Sequence, residues 1–216
     1  MSRNSCLAGM FVLILSQNLS GQHVHYEESD REKDRWMWQM PSRVIREIGI
    51  EQGMVVADIG AGEGYFSIPI AKAVGPGGKV YASDIDKNAL QKLVEKYKST
   101  QLENICTIIG KPTDPLLPEN EVDIILVVNT IHLIDDCTIF MENAVKALKP
   151  DGKVVIVQWD AEKMSHEYPY IFEEAFSMST ALRKIYNSGL EVEEILTFLP
   201  VQNIYICTQN KYLEDL

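Results

Sequence analysis

Asp58, Gly60, Gly62 and Gly64 fall within one ten-residue stretch, VVADIGAGEG at 55–64, and a second acid, Asp84, lies in the run VYASDID at 80–86. Acids and glycines in this pattern suit the binding of a nucleoside. A carboxylate at the end of a strand can accept hydrogen bonds from a ribose diol, and glycines admit a ligand where any Cβ would collide. The two features act together only if each run is a buried strand and the strands are parallel neighbours. Both loops then open at the same carboxyl edge of a sheet.

The spacing narrows the ligand. A dinucleotide loop has the form G-x-G-x-x-G and holds a pyrophosphate, whereas here the order is Gly60-x-Gly62-x-Gly64, with Asp58 before it and Glu63 inside it. An acid in such a loop repels a pyrophosphate and suits a cationic sulfonium carrying an amino-acid tail. A tight turn in an ordinary βαβ unit would use the same glycines, but it would not require Asp84 at the end of the next strand.

At these residues the chain resembles the class I S-adenosylmethionine-dependent methyltransferases, whose first motif is typically (V/L)-x-D-x-G-x-G-x-G. The resemblance implies S-adenosylmethionine as cofactor. Asp58 would orient the loop and the methionine amino group, and Gly60, Gly62 and Gly64 would admit the methionine part, with Tyr65 beside them. Asp84 would take both ribose hydroxyls and Ile85 would pack on the adenine. Many members carry Gly-Asp after the third strand, where the acid meets the adenine amino group. This chain has Gly110-Lys111 there, so Thr113 or Asp114 would have to take that place. Asn129-Thr-Ile-His132 resembles the family's N-x-x-H run beside the sulfonium, with Asn129 offering side-chain or carbonyl oxygen. His132 is then the candidate general base, or else a histidine that only caps or packs. Asp160, His166 and Tyr168 follow the fifth strand and are candidates for the acceptor pocket.

The elements that must position these residues follow from periodicity. Strands are predicted at 55–59, 79–84, 105–109, 122–128 and 153–159, as apolar runs without alternation. Helices are predicted near 65–74, 87–98, 138–148 and 169–187, with Leu90, Leu93, Val94 and Tyr97 on one face of the second. Ahead of them, Pro41 starts a short helix with Val44, Ile45 and Ile48 at helical spacing, and Gly49 stops it. Runs at 193–199 and 203–209 are joined by three residues only, which allows nothing but an antiparallel pair. The fold expected is an α/β, Rossmann-like three-layer αβα sandwich. Its seven-stranded sheet is mostly parallel and ends in a C-terminal antiparallel hairpin, and the resemblance covers residues 36 to 209. The domains expected are a signal peptide at 1–21, an N-terminal arm and helix at 22–52, and the methyltransferase domain at 53–216.

The arm, His23 to Arg35, is a charged and solvated segment, and its His23-x-His25 pair is incidental rather than a metal site. Trp38 and Gln39, in a Trp-Gln-x-Pro run that resembles a subgroup of bacterial, often exported methyltransferases, either touch the cofactor or pack. Arg3 followed by the apolar run Cys6–Leu15 and small-polar residues reads as a secretory signal peptide, too short to span a bilayer. The expected location is therefore export if this leader is cleaved, and otherwise membrane anchorage or cytoplasm.

The 216 residues suffice for one domain, and the net charge of -11 speaks against nucleic acid as a partner. Of the four cysteines, Cys106 and Cys207 lie in strand-like runs, where cysteine is a small buried hydrophobe. No pair has zinc spacing, so no metal is expected, and the cysteine motifs of arsenic-methylating relatives are absent. The reading favoured is methyl transfer to a small or medium-sized acceptor. The rivals are an S-adenosylmethionine-binding protein without activity and an NAD-dependent oxidoreductase.

Overall fold

The computed structural model describes residues 35–164 and 175–210. Residues 35–39 form a helical turn that leads into helix α1, Pro41–Glu47. The order thereafter is β1 Val55–Ile59, α2 Ser67–Val74, β2 Lys79–Asp84, α3 Lys87–Ser99, β3 Ile105–Ile109 and β4 Val122–Val128. A single 3-10 turn, Ile131–Leu133, is followed by α4 Cys137–Val145, β5 Leu148–Trp159, α5 Met178–Asn187, β6 Leu190–Leu196 and β7 Gln202–Gln209.

The seven strands form one sheet in the order β3-β2-β1-β4-β5-β7-β6. The first five are parallel, and β7 runs antiparallel between β5 and β6. The chain leaves β1 toward β2 on one side and later returns to β4 on the other. The carboxyl ends of β1 and β4 therefore flank a topological switch point, where open α/β sheets form crevices.

Both faces of the sheet are covered, which is why the strands are apolar without alternation. One face carries Val56, Leu126, Val155 and Ile204, packed with Val44, Ile70 and Leu93 from α1, α2 and α3. The other carries Ala57, Ile125, Ile156 and Tyr205, packed with Met141 of α4 and Ile185 of α5. Each Val, Leu, Ile or Met among them stabilises the fold by about 1.5–3 kcal/mol relative to exposure. Local signals fix the helix starts. Asp86 caps α3 by accepting from the Asn88 and Ala89 amides, and Ser177 caps α5 by accepting from the Thr180 amide.

Several expectations shift. α4 ends at Val145, and β5 begins already at Leu148, because Leu148 pairs with Val122 before the register jumps to Ile124↔Lys153. Lys149-Pro-Asp-Gly is thus an irregular excursion of a strand, not a connecting loop. β6 starts at Leu190 rather than 193. The described part of the predicted 169–187 helix is Met178–Asn187, and residues 165–174 lie outside the described residues. Cys207 is buried, and burial pushes its thiol up to about 12, but Cys106 is exposed on the edge strand β3. The leader, His23 and His25 also lie outside the described residues, and among those described no helix is long and apolar enough to cross a membrane.

Candidate active site

The loop after β1 is tied down at four of its amides. Gly60 and Ala61 donate to the Ser83 carbonyl at 2.8 and 3.2 Å, Gly64 donates to Ala61 at 2.9 Å, and Gly62 donates to Asp84 Oδ2 at 2.8 Å. A pyrophosphate needs such amides for itself. This loop has spent them internally, an argument against a dinucleotide that is stronger than the one from Glu63. Glu63 turns out to bind Lys92 and Lys96 of α3 at 2.7 and 2.8 Å, and these hold its carboxyl below the usual range. It fastens the loop to the helix and is absent from the cleft lining.

The three glycines are not equivalent. A Cβ at Gly60 would overlap the Thr130 side chain, and one at Gly64 would overlap Leu93. Those two are needed for packing. Gly62, at φ +52, has open space where its Cβ would stand.

Asp84 closes β2 with both carboxylate oxygens engaged once, Oδ2 by Gly62 and Oδ1 by the Asp86 amide at 2.8 Å. Each oxygen keeps acceptor capacity, since an ionised carboxylate offers about four lone-pair sites. Beneath the loop, Asp58 is buried and accepts from the Ser67 hydroxyl at 2.6 Å. Burial is the main cause that raises its carboxyl to about 6, against the lowering effect of the Ser67 bond; the negative Asp84 raises it further and the positive Arg35 lowers it.

Arg35 is not part of a solvated arm. Its guanidinium stands 3.8 Å from the Tyr65 ring centroid, its Nε donates to Gln39 Oε1 at 2.6 Å, and it lines the cleft. Nothing in a run of charged residues marks one of them for a site, so periodicity could not have found it.

The cleft has a volume of about 480 Å³ at the switch point. Of the predicted residues, Gly60, Asp84, Ile85 and Asn129 line it. Ile85 and Leu133 remain 64% and 69% exposed, and large apolar side chains left open beside a cleft are ligand walls in waiting. Lys111, Pro112 and Pro115 form the side toward β3, where Ser83 Oγ holds the Pro115 carbonyl at 2.8 Å. Thr113 and Asp114 do not reach the cleft. Asp114 Oδ1 is taken by the Leu116 amide within the turn, and the Thr113 carbonyl by Asn143 of α4.

Asn129 directly follows β4 at φ +50, a left-handed conformation that asparagine tolerates, and its Oδ1 accepts from Gln202 Nε2 at 2.7 Å. One of the two acceptor positions of this side-chain oxygen is therefore already taken from β7. His132 sits on the 3-10 turn between the cleft-lining Thr130 and Leu133, with Nδ1 3.4 Å from Gln158 Oε1 and its ring edge-on to Phe176. Asp160 is buried and held by Asn203 Nδ2 at 2.6 Å. Trp38 packs on Trp159 with centroids 4.7 Å apart, Gln39 accepts from Arg35, and neither is among the residues that line the cleft. Tyr65 likewise supports Arg35 without lining the cleft. His166 and Tyr168 lie outside the described residues.

A carboxylate at one end, a cation near the loop and apolar walls between them complement a nucleoside that bears a charged amino-acid tail. Comparison with known proteins agrees. Residues 50–203 match a family model described as a methyltransferase domain. The demethylmenaquinone methyltransferase of Geobacillus sp. (strain WCH70) is 30% identical over 114 residues, covering 53% of this chain and 49% of that protein. The Staphylococcus aureus (strain JH9) protein of the same name is 26% identical over 142 residues, covering 66% and 57%. The chain thus spans about half the length of these relatives. A crystal structure of a SAM-dependent methyltransferase from Aquifex aeolicus superposes with a TM-score of 0.75 at 24% identity, over 84% of this chain and 98% of that one, which shows the shared fold. The match across most of its length places the chain in the methyltransferase domain family, among the class I S-adenosylmethionine-dependent methyltransferases.

Proposed function

We propose that the chain catalyses methyl transfer to a small or medium-sized, largely apolar acceptor, with the cofactor held in the cleft over β1, β2 and β4. The observation that carries this is the Asp84 carboxylate bonded to the glycine loop at the wall of that cleft. Bound S-adenosylmethionine supplies a methyl group already activated by its sulfonium, so the chain's own work is alignment and exclusion of water. In this reading Asp84 accepts from the ribose hydroxyls and Ile85 and Leu133 enclose the adenine. Asp58 orients the loop and the amino group of the tail, while Arg35 takes the carboxylate of the tail. Asn129 offers its backbone carbonyl. His132, on the turn between two cleft-lining residues, accepts the acceptor's proton where one must leave.

The net charge of -11 supports an acceptor other than nucleic acid. Demethylmenaquinone is the first compound to test, because it is named for the relatives and because the exposed walls are apolar. Export of the chain rests on the leader at 1–21, and N-terminal sequencing of the secreted fraction tests it. Calorimetric titration should show binding of S-adenosylmethionine and none of NAD. Transfer of labelled methyl to demethylmenaquinone or to a lysate then separates an enzyme from a protein that only binds. Binding of NAD alone would end the reading.

A further inference from the structure

The first residue of β7, Gln202, is fully buried and comes from the antiparallel part of the sheet, where the chain makes no contact of its own with the cleft. Its Nε2 nevertheless donates to Asn129 Oδ1 at 2.7 Å, and Asn129 lines the cleft. Three further facts make this bond more than a packing accident. Gln202 Oε1 is buried and has no partner among the described residues, so the side chain destabilises the fold at one atom while serving Asn129 at the other. An apolar residue of the same size would leave no orphaned acceptor. Asn129 itself stands at φ +50, with its backbone amide fixed by donation to the Val157 carbonyl at 2.8 Å. Finally, the backbone of Gln202 is anchored. Lys163 Nζ donates to the carbonyls of Thr197, Leu199 and Gln202 at 2.9, 3.0 and 2.8 Å, pinning the β6–β7 connection from the turn after β5.

We infer that Gln202 is a positioning residue for cofactor binding. It acts only through Asn129, whose side-chain oxygen it captures so that the residue presents its backbone carbonyl and amide NH₂ to the cleft. The inference rests on the reading of the cleft as the S-adenosylmethionine site. It gives the terminal hairpin a task beyond closing the sheet. Strand β7 is the platform from which the end of β4 is aimed.

A double-mutant cycle tests it, with S-adenosylhomocysteine as the calorimetric probe on the full chain. Gln202→Met, which keeps the size and removes the donor, should weaken binding about tenfold in the wild-type background and less than twofold in the Asn129→Ala background. Gln202→Glu, which sets an acceptor against an acceptor, should behave the same way and serves if the methionine variant does not fold. Equal losses in both backgrounds, or no loss in either, would overturn the role. Wild-type protein that fails to bind the probe would overturn the reading of the cleft as well, an outcome distinct from additivity with binding intact.

Discussion

The Gly62 amide donates to Asp84 Oδ2 across 2.8 Å, so the loop after β1 and the acid that ends β2 are one element before any ligand arrives. In β1 and β2 the register Asp58↔Ala82 and Ile59↔Ser83 sets the two strand ends level, which brings the loop within reach of the acid. A site held together in this way needs little reorganisation on binding, and this favours affinity. It also makes the two residues separable by experiment, because each contributes to the fold and to the ligand in different proportion.

Asp84→Ala removes a carboxylate that would bond the ribose and leaves the Gly62 and Asp86 amides without their partner. S-adenosylmethionine affinity should fall by about 1–3 kcal/mol, the usual loss for hydrogen bonds to a charged group. Calorimetric titration of the purified variant measures it. Affinity equal to wild type would remove Asp84 from the site.

The glycines should divide by mechanism. Gly62→Ala meets no neighbour and bears only the strain of a left-handed backbone, about 1–2 kcal/mol. Gly60→Ala adds an overlap with Thr130, a β-branched side chain whose hydroxyl is tied to the Val128 carbonyl at 2.9 Å, so it should lose on the order of 2–4 kcal/mol. Urea denaturation ranks them. The reverse order would mean that the loop is set by ligand space and not by packing.

Strand boundaries were legible because burial on both faces leaves an apolar run with sharp ends. β1 through β4 fall where the runs at 55–59, 79–84, 105–109 and 122–128 predict. β5 was not legible at its start, since Pro150 and Gly152 look like a loop when the pairing of Leu148 with Val122 is unknown. The place of Asp84 and Asn129 at the cleft was legible because strand ends at a switch point have one possible neighbourhood. That Arg35 lines the cleft while Thr113 and Asp114 are absent from its lining was not legible, for one physical reason. Whether a polar side chain faces a ligand or its own turn is decided by loop geometry, which carries no period.

Asp58 predicts an unusual pH dependence. Its carboxyl is raised to about 6 from an ordinary 3.8, chiefly by burial, so the folded chain binds its proton more tightly than the unfolded chain does. Stability from this group is therefore present at low pH and is lost as pH rises from about 4 through 6, the reverse of a salt-bridged acid. Asp58→Asn should remove that slope and gain up to about 3 kcal/mol at pH 7, at 1.36 kcal/mol per pH unit. Denaturant midpoints of variant and wild type, compared at pH 4 and 7, give the difference directly. Cofactor affinity should move the opposite way, because the ionised acid is the form that suits a cationic tail.

Arg35 allows the sharpest separation of binding from folding. Its guanidinium is set by Tyr65 and Gln39 on one side and borders the cleft on the other, in reach of Asp58 electrostatically. S-adenosylhomocysteine carries the amino-acid carboxylate that Arg35 would bond, whereas 5′-methylthioadenosine shares the nucleoside and lacks the tail. Arg35→Gln should weaken the first by about tenfold or more, as expected for a charge-assisted hydrogen bond, and leave the second within about twofold. Were the substitution merely to loosen the Tyr65 support, both ligands would suffer alike. Equal loss for the two, read by competition calorimetry, would therefore assign Arg35 to the scaffold and leave the carboxylate to another group.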